Sequence, residues 1–470
     1  MKDGFIKVAS ASPVIKVADT EYNAQRVIET IKAADEMGVK LLVFPELVLT
    51  GCTCYDLTGH NVVLRGAKKA LLEVIAASEG VDMLVFVGLP VAVGSRLYSC
   101  AAAIYDGELL GLVPRENVRG TQFAEPADSY VEVEIDAEHV AVLSTDYVFT
   151  CAALPDLKVA AELGADIDAL VPPSVRHAQT GATVIAQLAS FPETVTSADE
   201  AELTLRSQSR RLHCGMVMAA PGKGESTTDN VFSGLCMIAE NGEVLAASEC
   251  ENSMAVTELD VEYIINTRRE SDDFDLDSDE YYEAVWGGEP VETELTRSYR
   301  KYPHLPADEA DLPTYCERML DIQVSGLVKR MQYAGLDHCV VGISGGVDST
   351  LAVMVSAMAV KKMGLPSTNV VACTLPCFGT SSRTKSNAII VAEQLGAEVR
   401  VIDIGKSVYQ HFDDIGHAHD DYSIAFENAQ ARERTQVLMD IANKLNGLDV
   451  GTEDLSEFID GWCTYNGDHT

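Results

Sequence analysis

The stretch that decides the fold is Val340–Leu351, reading Val-Val-Gly-Ile-Ser-Gly-Gly-Val-Asp-Ser-Thr-Leu. Cys339-Val340-Val341 is a short apolar run of the kind that forms a buried strand. An apolar helical pattern follows from Leu351 to about Met363. The segment between them therefore predicts a tight glycine turn joining a strand to a helix N-terminus. Its glycines let the backbone approach a phosphate closely. Free N–H groups and the positive end of the helix dipole then hold the charge. Ser344, Ser349 and Thr350 add hydroxyl donors. Asp348 repels an anion unless a cation lies between them, so the pattern points to Mg²⁺ together with a pyrophosphate group. No Gly-Lys-Ser/Thr ending is present and no lysine occurs between Leu336 and Val360, which excludes a Walker A loop.

Outward from this loop, Cys316–Tyr333 has helical spacing through Met319, Leu320, Ile322, Leu327 and Met331. Asn369–Leu375 reads as a strand, Phe378–Thr384 as a polar turn, Lys385–Leu395 as a helix and Glu398–Ile404 as a strand. Strand–helix units in succession imply a parallel, doubly wound sheet with ligands at the strands' C-terminal edge. The N-terminal half is also α/β. Phe5–Ala9, Val39–Phe44, Asp82–Gly88 and Leu97–Tyr105 read as strands, and Asn23–Met37 as a helix with Val27, Ile28, Ile31 and Ala34 on one face. These elements suit a sandwich covered by helices on both faces. The second strand delivers Pro45-Glu46-Leu47. A carboxylate among apolar neighbours is costly to bury unpaired, so Glu46 is either an ion-paired core group or a working acid–base group.

Composition narrows the function classes. The chain has 470 residues, enough for two or three domains, and is 47% hydrophobic. It shows neither a bilayer-length apolar run nor a signal-peptide pattern after Met1-Lys2-Asp3-Gly4, so the expectation is a cytoplasmic chain with no membrane partner. A net charge of −37 argues against nucleic acid, whose phosphates it would repel. Twelve cysteines are scattered without a CxxC pair, which reads as buried free thiols.

The SGGxDS pattern of Ser344–Ser349 resembles the pyrophosphate loop of the N-type ATP pyrophosphatases, which join AMP to a carboxylate or carbonyl and release pyrophosphate. Three further stretches narrow the resemblance to the NAD synthetases: Cys373–Ala388 (CTLPCFGTSSRTKSNA), Glu427–Asn443 (ENAQARERTQVLMDIAN) and Val450–Asp468 (VGTEDLSEFIDGWCTYNGD). The N-terminal half resembles the nitrilase-type glutaminase domain of the glutamine-dependent members, through Val43–Leu57 (VFPELVLTGCTCYDL), Leu109–Arg115 and Gly224–Ala246. The resemblance implies an N-terminal α-β-β-α nitrilase-type sandwich and a C-terminal doubly wound parallel sheet of the adenine-nucleotide α-hydrolase kind. It implies ATP- and Mg²⁺-dependent amidation of deamido-NAD, with ammonia drawn from glutamine, and assembly into homo-oligomers. Carried over position by position, it assigns Gly342, Ile343, Ser344, Gly345, Gly346, Val347, Asp348, Ser349 and Thr452 to ATP. Asn428, Glu457, Trp462, Cys463, Thr464 and Tyr465 fall to deamido-NAD, and Asp348 and Glu457 to Mg²⁺.

The departures from that pattern are concentrated in one place. The family's glutaminase uses a Glu-Lys-Cys triad, and FPEL makes Glu46 its glutamate. Arg115 stands at the lysine position, permanently charged and differently shaped. Ala160–Ile167 aligns with the nucleophile stretch, which puts Gly164 at the cysteine position, and without a side chain no thioester forms. Phe191 and Ser197 replace residues that hold the substrate glutamine, and Cys52 replaces a tyrosine. A substitute thiol, Cys54 or Cys151, would have to reach Glu46 and a cation in one geometry. The expectation is a decayed glutaminase that still folds, leaving free ammonia as donor.

Expected boundaries are 1–285 for the glutaminase-like domain, 286–311 for a linker and 312–470 for the synthetase domain. Glu270–Glu283 is an acidic run that reads as a solvated loop. Glu453 replaces a glycine of the family's GTGD and adds charge beside a phosphate site. The family pattern continues beyond TYNGDH, so the second sheet is expected to be incomplete. A second reading is therefore a pseudoenzyme or fragment that binds nucleotide or pairs with an intact synthetase. A third, an amidase of altered mechanism, is opposed by Gly164.

Overall fold

The computed structural model describes residues 1–126, 130–249, 252–271, 274, 281–288, 290–378 and 382–467, without the side chains of 382–386 and 388. Most of the expected acidic loop (272–273 and 275–280), Gly379–Ser381 of the expected polar turn, and Asp468 lie outside the described residues. The chain divides into two compact units, Met1–Tyr299 and Arg300–Thr470.

The first unit opens with β1 (Phe5–Ser12), α1 (Thr20–Glu36), β2 (Leu41–Val43), α2 (Asn61–Ala77), β3 (Leu84–Val93), β4 (Arg96–Tyr105) and β5 (Glu108–Pro114). It continues through β6 (Val131–Glu134), β7 (Val140–Leu143), β8 (Tyr147–Cys151), β9 (Lys158–Leu163), α3 (Pro173–Gln179) and β10 (Val184–Leu188). Then come α4 (Ser197–Leu212), β11 (Gly215–Ala219), β12 (Cys236–Glu240), β13 (Glu243–Ser248), β14 (Ser253–Asp260), α5 (Val261–Arg269) and β15 (Tyr282–Trp286). Among the described residues these strands form two sheets, ordered β14-β1-β2-β3-β4-β5-β7-β6 and β13-β12-β11-β10-β9-β8-β15.

Strand alternation explains the layers. Leu41, Val43, Leu84 and Phe86 point between the sheets, where Phe149, Val159, Ala186 and Val217 meet them. Leu42, Val85 and Val87 point the other way, against Val27 and Ile31 of α1 and Leu71 and Val74 of α2. On the far side, Ile185 and Met216 pack with Ala178 of α3 and Leu205 and Leu212 of α4. The result is an α-β-β-α sandwich.

The expected solvated loop Glu270–Glu283 gives way to a strand at its end. Tyr282–Trp286 is a strand paired in parallel with Tyr147–Cys151, and Trp286 is buried between the sheets with its Nε1 donating to Phe149 O at 3.1 Å. Beyond it, Thr296 N and Arg297 N donate to Glu258 Oε2 (2.9 and 3.0 Å), and the Arg297 guanidinium pairs with Glu240 at 2.9 Å. A large ring and a buried ion pair override the glycine and acidic signals that flank them.

The second unit contains α6 (Leu312–Ala334), β16 (His338–Gly342), α7 (Val347–Lys362), β17 (Val370–Thr374), α8 (Ser382–Gln394) and β18 (Glu398–Val401). Next come α9 (Gly405–Ile415), α10 (Ile424–Leu445), β19 (Gly447–Asp449) and α11 (Leu455–Asp460). The sheet runs β18-β17-β16-β19 and every pairing is parallel. Val341 and Ala372 face Met331, Val353 and Val360 on one side, while Val340 and Val371 face Phe412, Phe426 and Ala442 on the other. Helices cover both faces, as a continuous apolar strand such as Cys339–Val341 requires. No helix among the described residues is long and apolar enough to cross a membrane.

Candidate functional site

In the first unit the site lies at the C-terminal ends of β2, β9 and β10. After β2 the chain turns sharply at Pro45-Glu46-Leu47, with Leu47 at φ 58°. The turn presses on Gly88 of β3, where a β-carbon would stand 2.4 Å from Leu47 N and 2.5 Å from Pro45 O. Glu46 is 1% exposed. Its Oε1 accepts from Ser99 Oγ at 2.6 Å, and its two oxygens accept from Arg115 Nη1 at 3.3 and 3.1 Å. Arg115 is fixed in turn: its N donates to Ser99 O (2.8 Å) and its Nε to Asn117 O (2.9 Å). A buried carboxylate with a guanidinium and a hydroxyl on it is a satisfied group.

Gly164 follows β9 directly and sits at φ 53°. A β-carbon there would lie 2.5 Å from both Arg115 Nη1 and Glu46 Oε2 and 2.6 Å from Arg115 Cζ. The structure thus brings Glu46, Arg115 and Gly164 together, and the ion pair fills the space that a side chain at 164 would occupy. Around this centre Asp166 accepts from Leu163 N (3.2 Å), Glu116 N (3.2 Å) and Asn117 N (2.6 Å). Burial pushes the Asp166 carboxyl up to about 6, and those N–H donors pull it back. Gln187 Nε2 donates to Gly164 O at 3.0 Å.

Neither thiol named from the sequence is a replacement nucleophile. Cys151 lies beside the start of β9, opposite the end that carries Gly164, and its thiol is buried against the Met1 sulfur at 3.9 Å. Cys54 is buried, and burial raises its thiol. Cys52 is nearer the centre, but burial and then the Glu225 carboxylate push its thiol far up, the reverse of what a nucleophile needs. Glu225 itself binds Cys52 N (2.9 Å) and Thr53 N (3.0 Å), closing the turn after Gly51.

In the second unit, β16 runs into the loop Ile343–Gly346 and α7 starts at Val347. Gly345 has φ 86°, which a side chain rarely tolerates. The loop is braced from below. Ser349 Oγ accepts from Ser344 N (3.3 Å), Ser344 Oγ accepts from Gly346 N (3.2 Å), and Thr350 Oγ1 donates to Gly346 O (2.7 Å). Asp348 is exposed in the first turn of α7. Ile343, Gly345, Ser349, Thr350, Val353 and Ala392 line a shallow dent in the surface beside the loop. Thr452 follows β19, the parallel neighbour of β16, so it emerges at the same sheet edge. Thr464 Oγ1 donates to Asn428 Oδ1 at 3.0 Å, and Arg432 Nε donates to Tyr465 O at 3.1 Å, which fixes 464–465 on α10. Trp462 is exposed and Cys463 half-buried. Glu457 is committed locally: its Oε2 accepts from Asp454 N (3.2 Å) while its N donates to Asp454 Oδ1 (2.8 Å), a capping box for α11. Among the described residues no group of three or more His, Cys, Asp or Glu side chains is placed to hold a metal.

Comparison with known proteins agrees with both halves. The carbon-nitrogen hydrolase family profile matches residues 7–269 and the NAD synthase profile residues 319–470. A glutamine-dependent NAD(+) synthetase of Mycobacterium tuberculosis is 34% identical over 485 residues, spanning 98% of this chain and 71% of that one. The chain belongs to the glutamine-dependent NAD(+) synthetase family. The family's Thermotoga maritima member is 26% identical over 485 residues, spanning 100% of this chain and 77% of its own. A solved synthetase from Cytophaga hutchinsonii is similar over 99% of this chain and 77% of that one, with 17% identity and a TM-score of 0.48.

Sequence reasoning did not single out Ser99, Gln187 or Glu225. Each acts through a partner far away in the chain, which spacing alone does not reveal. Glu225 had one visible signal, its place in the Gly224–Ala246 stretch.

Proposed function

We propose that the second unit converts deamido-NAD to NAD with ATP and free ammonia, and that the first unit hydrolyses no glutamine. The observation that carries this reading is the Arg115–Glu46 pair standing where a side chain on residue 164 would be. A glutaminase of this type needs a thiol on that atom, and here the position has neither a side chain nor room for one.

The chemistry suits the loop. A nicotinate carboxylate is a poor electrophile. Its oxygen attacks the α-phosphorus of ATP, and pyrophosphate leaves with the bonding pair. Ammonia nitrogen then attacks the acyl carbon, AMP leaves, and a proton is lost to give the amide. The work of the protein is positioning and charge neutralisation. The N–H groups of Gly345 and Val347 at the α7 N-terminus receive the phosphates, those of Ser344 and Gly346 being engaged within the loop, with the Ser344 and Thr350 hydroxyls at the rim. The exposed Asp348 is the donor that suits Mg²⁺, which commonly binds through one or two carboxylates plus phosphate oxygens and would neutralise phosphate charge here. Glu457 fits this role less well, because its carboxylate caps α11. Asn428, Thr464, Tyr465 and Trp462 supply a polar and aromatic surface for deamido-NAD, and Thr452 a hydroxyl for ATP. Homo-oligomer formation rests on the family resemblance.

The test is NAD formation by the purified chain from deamido-NAD, ATP and Mg²⁺, with ammonium and glutamine in parallel. Product with ammonium alone is expected, and product with glutamine overturns the reading of the first unit. The engaged Glu457 carboxylate favours one alternative, a nucleotide-binding pseudoenzyme. ATP binding with no product from either donor would establish that alternative.

A further inference from the structure

Behind Gly164, on the face of the second sheet that α3 covers, two buried side chains stand next to each other. Glu162 of β9 and Gln187 of β10 are direct register partners in a parallel pair. Their backbones are therefore about 4.8 Å apart and their side chains leave the same face. Glu162 is 1% exposed and Gln187 0%. Each side chain spends one polar atom on the protein: Glu162 Oε2 accepts from Ser174 N at 3.1 Å, and Gln187 Nε2 donates to Gly164 O at 3.0 Å. Each is left with one buried oxygen that has no partner, Glu162 Oε1 and Gln187 Oε1.

Two acceptors side by side in a dry layer repel, and each lacks a donor. A single proton on Glu162 removes both defects. We infer that Glu162 is held as the neutral acid, its O–H donating to Gln187 Oε1, and that this hydrogen bond positions the Gln187 amide on the carbonyl of Gly164. Turning the amide over instead would aim Nε2 at Glu162 but set Oε1 against Gly164 O, another acceptor. The buried Ser174 hydroxyl can donate to an ionised Glu162 but leaves Gln187 Oε1 without a donor, whereas the acid serves both while the amide stays on Gly164 O.

The surroundings favour the neutral form. Among the described residues no cation forms an ion pair with Glu162. Asp166 and Glu116 are the charges that face it, and both are acidic. On α3, His177 is buried and its Nδ1 is engaged with Tyr281 OH at 2.8 Å, while Arg176 is spent on Glu116 and Asp146. Cys214, before β11, is buried, and Arg268 beside it binds the carbonyls of Ala182, Leu212 and His213. Burial first, then the two carboxylates, raise the Glu162 acid to about 8, against the pull of Ser174.

The sign of the pH dependence follows. A carboxyl raised in the folded state keeps its proton there, while the unfolded chain releases it above its ordinary range near 4.5. Folding stability then falls as pH rises from about 4.5 to about 8 and levels above that. The experiment is denaturant unfolding of the full chain from pH 5 to 9, followed by the emission of buried Trp286, for the natural protein and Glu162→Gln. The glutamine mimics the neutral acid and can donate to Gln187 Oε1. Its advantage in the unfolding equilibrium constant should grow about tenfold per pH unit and then level near pH 8. In parallel, difference infrared spectra at pH 7 should show the carbonyl stretch of a protonated carboxylic acid in the natural protein and its loss in Glu162→Gln. Gln187→Leu, which removes the acceptor, should move the levelling point to lower pH. Unfolding curves whose separation is the same at every pH, or a spectrum without the acid band, would overturn the inference. If Glu162→Gln does not fold, the acid band in the natural protein and in Gln187→Leu decides the question.

Discussion

Arg115 Nη1 and Glu46 Oε2 meet at 3.1 Å in the volume that a β-carbon on residue 164 would need. The two states of this site exclude one another. Either residue 164 carries a side chain and the cation stands back, or the guanidinium advances onto the carboxylate and residue 164 must be glycine. Two substitutions that look separate along the chain, at 115 and 164, are therefore one structural event. The φ of 53° at Gly164 fits the same conclusion, since it strains most other residues.

Restoring the thiol alone should consequently fail. Gly164→Cys is expected to release no glutamate from glutamine and to lose about 1–3 kcal/mol of stability, from overpacking against Arg115 and from the left-handed backbone. Adding Arg115→Lys should recover part of that loss, because a narrower cation can withdraw. Glutamate release by Gly164→Cys at the natural protein's stability would contradict the crowding argument.

The same pair makes a stability prediction. Arg115 is 10% exposed and Glu46 1%, so Arg115→Met leaves a carboxylate buried with only the Ser99 hydroxyl. A cost of about 3–5 kcal/mol is expected for breaking one side of such a pair. The double variant Glu46→Gln/Arg115→Met should regain most of it. Chemical denaturation of all four proteins closes the cycle, and additive losses would mean that the two groups do not interact.

Trp286 offers a test of where the first unit ends. Its ring is buried between the two sheets and its Nε1 is bonded to Phe149 O. Trp286→Ala should cost about 3–5 kcal/mol in unfolding of the first unit. A change below about 0.5 kcal/mol, the range of surface positions, would show that β15 adds nothing to it.

Half-buried Asp449 ends β19 opposite Val340, and burial alone raises its carboxyl to about 6. Because the unfolded chain releases this proton first, stability of the second unit should fall as pH rises from about 4 to about 6 and stay lower above. Asp449→Asn should therefore slow hydrogen exchange of the β16 amides at pH 8 and leave it nearly unchanged when compared at pH 4. Allowing for its partial exposure, the gain at pH 8 is about 1 kcal/mol. Equal protection at both pH values would remove Asp449 as the cause.

What could be read in advance depended on how local the cause was. Val340–Leu351 announces itself because apolar run, glycine turn and helix follow one another within a dozen positions, and each is a short-range preference. Glu46, Arg115 and Gly164 were visible as residue types out of place. That Arg115 lies on Glu46, across 69 residues of sequence, depends on how β2 and β5 are laid in one sheet. Tyr282–Trp286 was misjudged because its strand character comes from pairing with β8, while its own neighbours are acidic residues and glycines. Glu162 lies within the Ala160–Ile167 stretch and Gln187 in an apolar run, and only the β9–β10 register sets the two side by side.

The phosphate loop gives the last prediction. Gly345 holds φ 86°, and its own N–H and that of Val347 point as they do only because the backbone takes that turn. A β-branched residue resists this conformation. Gly345→Val is thus expected to weaken ATP binding at least about tenfold, equivalent to about 1.4 kcal/mol, through misdirected donors rather than through a lost side chain. Because the loop lies at the exposed edge of the sheet, the structural cost should stay at about 1–3 kcal/mol, the strain of one residue. Ser349→Ala provides the contrast. It removes the acceptor for Ser344 N but keeps the turn, so it should lose less than Gly345→Val. Calorimetric titration of the full chain with ATP and Mg²⁺ ranks the three proteins. If Gly345→Val binds ATP as tightly as the natural protein, the nucleotide is not held by this turn, and the assignment of the loop to ATP falls with it.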